Sequence, residues 1–110
     1  MPFVAQQVAH SLIRALRLPL ASLRRSDAAL ADQARRAATS VALNIAEGNR
    51  RVGKDRQQFF RIAAGSAAEL RAALEVAADW ALLSEHELTE GRALLDRQLA
   101  LLWGLTHRRA

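Results

Sequence analysis

Side chains with chemical potential concentrate in two stretches of this sequence. The first, Ser40-Val41-Ala42-Leu43-Asn44-Ile45-Ala46-Glu47-Gly48, sets hydroxyl, amide and carboxylate groups among apolar positions; the second, Phe59 to Leu70, adds Gly65-Ser66 and Glu69. Two carboxylates such as Glu47 and Glu69 can do general acid/base work if a fold gathers them in one cleft. Helical periodicity instead spreads them along the two arms of a hairpin, and no serine, histidine and carboxylate share a spacing that supports a nucleophilic triad. A phosphate-binding loop needs glycines between a strand and a helix with a following Lys-Ser/Thr, whereas Gly65-Ser66 lies inside a helical pattern. His10, His86 and His107 are far apart and there is no cysteine, so no metal ligand set is expected. No catalytic residue, cofactor or metal is assigned, and the expectation is a protein that is not an enzyme.

The alternative use of these polar groups is mechanical. Each is costly on an apolar helical face unless it finds a partner. Antiparallel pairing about the 49–54 loop puts Glu69 near Gln33 and Arg36, and Asn44 near Gln58 and Phe59. An Arg36–Glu69 ion pair is therefore expected. Together with Ser40, Asn44, Glu47, Gly48 and Ser66 it would select one alignment over slipped ones. Gly65 costs about 1 kcal/mol relative to alanine inside a helix, and a close helix approach is the expected compensation.

The elements that must position these residues follow from periodicity. Val4, Val8, Leu12, Leu16 and Leu20 form a stripe that predicts a first helix over about 3–18, interrupted near Pro19, with 19–27 as the first connection. A second helix over about 28–48 stops at Gly48-Asn49, and a third over about 54–83 carries Phe59, Ala63, Ser66, Leu70, Leu74, Ala77 and Ala81. Ser84 and Glu87 have capping-box spacing and open a fourth helix over about 85–106. No alternating run suggests a strand. The expectation is one domain over 1–110, all-α, an antiparallel up-down-up-down four-helix bundle. The last helix is apolar over two stripes, one of them Leu94, Leu101 and Leu105, with Trp103 off both. That excess predicts a subunit interface at Leu94, Leu101, Trp103 and Leu105.

The chain carries +5 formal charge over 110 residues and has a pI near 11.4, which favours acidic partners such as RNA or DNA. Fifteen of its sixteen cations are arginine. Alternating helices bring the N-terminus, the second loop and the C-terminus to one end, collecting Arg50, Arg51, Lys54, Arg56, Arg61, Arg108 and Arg109 as a candidate phosphate-contacting pole. Scarce aromatics and absent tyrosine argue against sequence-specific reading of single strands. The lack of cysteine fits a reducing cytosol, and no run is long and apolar enough for a membrane span. A soluble, unprocessed, cytoplasmic protein is expected.

Gln33, Arg36, Ala37, Ser40, Asn44-Ile45-Ala46-Glu47-Gly48, Phe59, Ala63, Gly65-Ser66, Glu69 and Leu70 together resemble the bacterial four-helix bundle family labelled ribosomal protein S23-like. It includes proteins encoded in intervening sequences of 23S rRNA genes and the accessory variability determinant of diversity-generating retroelements. The chain departs from the family pattern at Val41-Ala42-Leu43, where Ile-Pro-Ser is frequent, and at Asn49, where an aromatic is common. The resemblance implies a homo-oligomer, with a ring of five known in the family, and no catalytic activity. Some members work with a reverse transcriptase and bind nucleic acid. Two functions therefore compete: an oligomeric scaffold binding nucleic acid non-specifically, and a protein-interaction adaptor with no nucleic-acid role.

Overall fold

The computed structural model describes residues 3–107. Four helices follow one another: α1 (Val4–Ser26), α2 (Ala28–Asn49), α3 (Gly53–Asp79) and α4 (Glu85–Thr106). Among the described residues there is no strand. Each helix packs against two neighbours, in the cyclic order α1, α2, α3, α4, in a bundle about 45 Å long and 22 by 19 Å across. No helix is long and apolar enough to cross a membrane.

The first connection is shorter than expected. α1 runs through Pro19 to Ser26, because Leu16, Leu20 and Leu23 continue its apolar stripe and Leu23 is fully buried. Proline removes one hydrogen bond and crowds the preceding turn, and burial along the extra turns outweighs that local cost. Asp27 is then the entire link. Its N–H donates to the Leu23 carbonyl at 2.8 Å, and its side chain accepts from the Leu30 N–H at 3.0 Å. One residue thus ends α1 and caps α2.

α3 also differs from its expected extent, ending at Asp79 rather than Leu83. Ala81 turns left-handed at φ 57, the Ala81 N–H donates to Ala78 and the Leu82 N–H to Ala77. This is the double bond pattern of a Schellman stop, normally signalled by glycine. The capping box forms at α4: Glu87 N–H donates to Ser84 Oγ at 3.1 Å and Ser84 N–H to Glu87 Oε1 at 3.0 Å. The Ser84 N–H holds the Glu87 carboxyl below its ordinary range.

The buried residues of α2 and α3 are mostly alanine: Ala31, Ala34, Ala37 and Ala38 on α2 and Ala63, Ala67, Ala73 and Ala77 on α3, together with Val41, Ile45, Phe60, Leu70 and Leu74. Small side chains let the two axes approach closely, and the closest fit is at Gly48. A Cβ there would lie 2.6 Å from Phe60 Cε1 and 3.2 Å from Phe59 Cβ. A second such contact seats Leu16 of α1 against Gly91 of α4. Gly65, expected at a close approach, faces open space, with nothing within 4 Å of the point a Cβ would occupy. The tight glycine of the hairpin is Gly48.

These placements separate two glycine-to-alanine changes by sign. Gly48→Ala should lower unfolding free energy by about 1–3 kcal/mol through overpacking against a fully buried ring, while Gly65→Ala should raise it by up to about 1 kcal/mol through helix propensity. Urea unfolding of both variants checks this, and equal effects would contradict the placement.

Candidate functional site

The polar residues of the α2–α3 hairpin are not buried in the bundle. Gln33, Arg36, Gly65 and Glu69 are exposed, and Ser40, Asn44, Glu47 and Ser66 are half-buried, so they form a seam along the outer side of the two helices. The seam is tied at its middle by Ser40 Oγ and Ser66 Oγ, 2.7 Å apart. Asn44 Nδ2 donates to the Ser40 carbonyl at 2.9 Å and to Ser40 Oγ at 3.1 Å. That hydroxyl is therefore oriented from two sides.

Pairing Ser40 with Ser66 shifts the hairpin by about one helical turn from the expected alignment. The Arg36–Glu69 ion pair does not form: among the described residues, neither takes part in an ion pair. α3 begins with a turn that overhangs the end of α2, and that overhang accounts for the shift. Glu47 and Glu69 lie on opposite sides of the serine pair, on the order of 15 Å apart along the seam at 1.5 Å per residue. They do not compose an acid/base pair.

Three of the basic residues assigned to the pole are engaged by the fold. Arg56 Nη1 donates to the carbonyl of Gly48 at 3.2 Å and of Asn49 at 3.4 Å, where α2 has carbonyls without helical partners. Its guanidinium also lies over Phe60 at 4.8 Å and Phe3 at 5.7 Å. Arg51 donates to Glu47 at 2.8 Å, approaches Asp55 at 3.8 Å and sits over Phe59 at 5.2 Å. Arg50 reaches Glu47 at 3.7 Å but stays largely in solvent. The hydrogen bond from Arg51, aided by the charge of Arg50, holds the Glu47 carboxyl below its ordinary range. Lys54 and Arg61 are exposed without a carboxylate partner among the described residues. Arg108 and Arg109 lie outside the described residues. The three chain segments do meet at this end: Phe3 stacks on Phe60 at 5.9 Å, and Gln57 Nε2 donates to the Leu105 carbonyl at 2.9 Å.

α4 places its second apolar stripe largely inside the bundle. Leu105 is buried, and Leu94 and Leu101 pack half-buried against the core. The reason is geometric: α4 has two neighbours, so it needs two apolar stripes. Leu94 lines a groove with Val4 and Val8 of α1, while Leu95 lines one with Leu74 of α3. Trp103 remains 63% exposed, stacked on His107 at 4.2 Å.

Sequence reasoning missed the outer face of α1. Three grooves flank that helix: one towards α2, with a floor of Leu16, Leu20, Ala31 and Ala38 and a rim including Arg17 and Arg35, one towards α4, with Arg14 and Arg97 on opposite walls, and one towards the start of α4, where Arg14 and Arg17 stand across from His86, Glu87 and Glu90. The signal available was that α1 contains four arginines and no acidic residue. Among the described residues no group of three or more His, Cys, Asp or Glu gathers to hold a metal.

The class defined by these features is an antiparallel four-helix bundle whose polar motif serves a helix seam. More particularly, the chain belongs to the 23S rRNA-intervening sequence protein family, which it matches over residues 4–104. The bundle resembles the crystal structure of a protein of unknown function from the S23 ribosomal protein family of Bacteroides thetaiotaomicron. That likeness has a TM-score of 0.85 at 16% identity and covers 94% of this chain and 99% of the other. At that identity the likeness speaks for the fold. No curated protein matches the sequence.

Two measurements test the division of labour at the pole. Arg56→Ala should lower stability by about 1 kcal/mol, through lost capping and packing of its stem, while Arg50→Ala should stay within about 0.5 kcal/mol of the parent. Glu47 has a depressed folded pKa, so its stabilising contribution is present above its ordinary value of 4.5 and is lost as pH falls through the lower folded value. The melting-temperature gap between the parent and Glu47→Gln should therefore be present at neutral pH and close on acidification. A gap that widens in acid would reverse the assignment.

Proposed function

We propose that this protein is a non-enzymatic, oligomeric four-helix scaffold of the cytoplasm that holds nucleic acid through basic surfaces without reading its sequence. The observation that carries the reading is an excess of unpaired surface cation. Arg24, Arg50, Arg51 and Arg92 lie within 4.0 Å of carboxylates. Arg14, Arg17, Arg35, Arg36, Arg61 and Arg97 are exposed and have no such partner among the described residues. Such cations attract phosphates by a term that releases counterions and carries little sequence information.

Assembly is supported by apolar side chains that the bundle leaves outside. Leu43 is 65% exposed and Ile62 is 41% exposed, on the α2–α3 hairpin. Leu18, Trp80 and Trp103 are exposed elsewhere. With α4's second stripe turned inward, Trp103 is the strongest remaining contributor from that helix. A ring of five is the assembly we expect, from the family resemblance.

Light scattering of the purified protein and anisotropy of a labelled RNA hairpin test the two halves of the reading. A multimer is expected, with affinity falling at least tenfold between about 50 and about 200 mM salt. A monomer at micromolar concentration would sink the scaffold. Absent or salt-insensitive binding would remove nucleic acid and leave the adaptor, whose partner is a protein.

A further inference from the structure

Three of the cations assigned to the pole, Arg50, Arg51 and Arg56, are engaged by the fold, whereas a second group of cations stands on another face. α1 contains Arg14, Arg17, Arg24 and Arg25 and no acidic residue, in a chain whose formal charge is +5. α4 carries two arginines against four acidic residues. Arg24 is drawn to Asp32 of α2, and Arg25 sits where its charge acts on Glu87 of α4. Arg14 and Arg17, nearer the middle of the helix, have no carboxylate within 4.0 Å among the described residues.

Those two arginines border three grooves, two of them without a carboxylate. The α1–α4 groove, about 560 Å³ in volume, is lined by Gln7, His10, Ser11 and Arg14 on one wall and Leu94 and Arg97 on the other. Arg14 Nη2 donates to Ser11 Oγ at 3.3 Å, which keeps its guanidinium over the groove without neutralising it. Arg17, three residues further on, lines the α1–α2 groove, about 470 Å³, opposite Arg35. No carboxylate lines either of these grooves; Glu87 and Glu90 line a third, with Arg14 and Arg17, towards the start of α4, and neither arginine pairs with them within 4.0 Å. His10, Arg14 and Arg17 fall at helical spacing on one side of α1 and span on the order of 10 Å.

We propose that this face, with Arg14 and Arg97 gripping from opposite walls and Arg17 one turn along, is a docking surface for the phosphodiester backbone of a nucleic-acid duplex. Guanidinium groups donate in a planar fork that suits phosphate oxygens. Neither groove is lined by Phe, Tyr or Trp, and the single imidazole of His10 is the sole ring present, so the surface offers no row of platforms for successive unstacked bases. Contacts to phosphates alone favour a duplex, whose backbone is held in regular array. The inference rests on the nucleic-acid reading above and relocates its site from the pole to α1.

The test is an anisotropy titration of a fluorescein-labelled RNA duplex by the full-length protein across a salt series. It compares the parent with two triple variants, Arg14→Ala/Arg17→Ala/Arg97→Ala on this face and Arg50→Ala/Lys54→Ala/Arg61→Ala at the pole. All six side chains are exposed, and matched circular dichroism melts confirm that both variants fold. The α1 variant should lose about tenfold or more in affinity at low salt, and the slope of log affinity against log salt should flatten by about 2–3. The pole variant should keep most of its affinity. An α1 variant that binds like the parent, or a pole variant that loses as much, would overturn this site while leaving nucleic-acid binding itself in place. No binding by the parent would remove both.

Discussion

The hairpin of α2 and α3 depends on the absence of a side chain at Gly48. The Phe60 ring occupies the space where a Cβ would stand, and Phe60 is fully buried, so it has little room to yield. That contact sets how near the two helices lie where α2 ends. It also sets what else reaches the same point: Phe3 stacks on Phe60 from the start of α1, and Arg56 spans from the ring to the terminal carbonyls of α2. One aromatic ring therefore joins the start of α1, the end of α2 and the start of α3.

A second constraint compensates for a weakness of the first. The alanine-rich interface between α2 and α3 permits close packing, but alanines are poor knobs, and a slipped alignment replaces one alanine by another at little cost. Register needs groups that are satisfied in one alignment and not in its neighbours. Ser40, Ser66 and Asn44 meet that need at the middle of the hairpin, and Gly48 with Phe60 at its end. Because the serine pair is half-buried, it contributes about 1 kcal/mol at most as a net hydrogen bond. Its larger effect is on the difference between alignments, where an unmatched hydroxyl loses its partner.

Legibility varied with the kind of signal. Four helices, the start of α2 just after Asp27 and the capping box at Ser84 and Glu87 follow from periodicity and local hydrogen-bond chemistry, which are written within a few residues of sequence. Pro19 misled because its local cost is visible and the burial of Leu23 that outweighs it is not. Ala81 gave no stop signal, since the left-handed position that ends α3 is held by a residue type that ordinarily continues a helix. The hairpin polar groups were legible as a set, but their alignment was off by a turn: the overhang of α3, across which Arg56 reaches back to α2, is not written in the local sequence pattern. Likewise, the two stripes on α4 were readable, whereas their assignment to two neighbours required knowing the cyclic arrangement.

The same arrangement explains why register and surface charge occupy different faces. Residues that fix the hairpin must stand on the α2–α3 seam, where changing one disturbs its partners. Carboxylates cross the other seams: Arg24 joins α1 to α2 through Asp32, and Arg92 joins α4 to α3 through Glu75 at 3.0 Å. These pairs use charge near the end of the bundle where α1 gives way to α2. Midway along α1, Arg14 and Arg17 line two grooves without acidic walls and share a third with Glu87 and Glu90. Among the described residues neither pairs with a carboxylate within 4.0 Å, so their mutual repulsion is relieved chiefly by solvent and salt. An exposed cation in that position adds little to folding stability and remains available to an anion from outside, so charge on this face can change with little penalty to the helices that carry it.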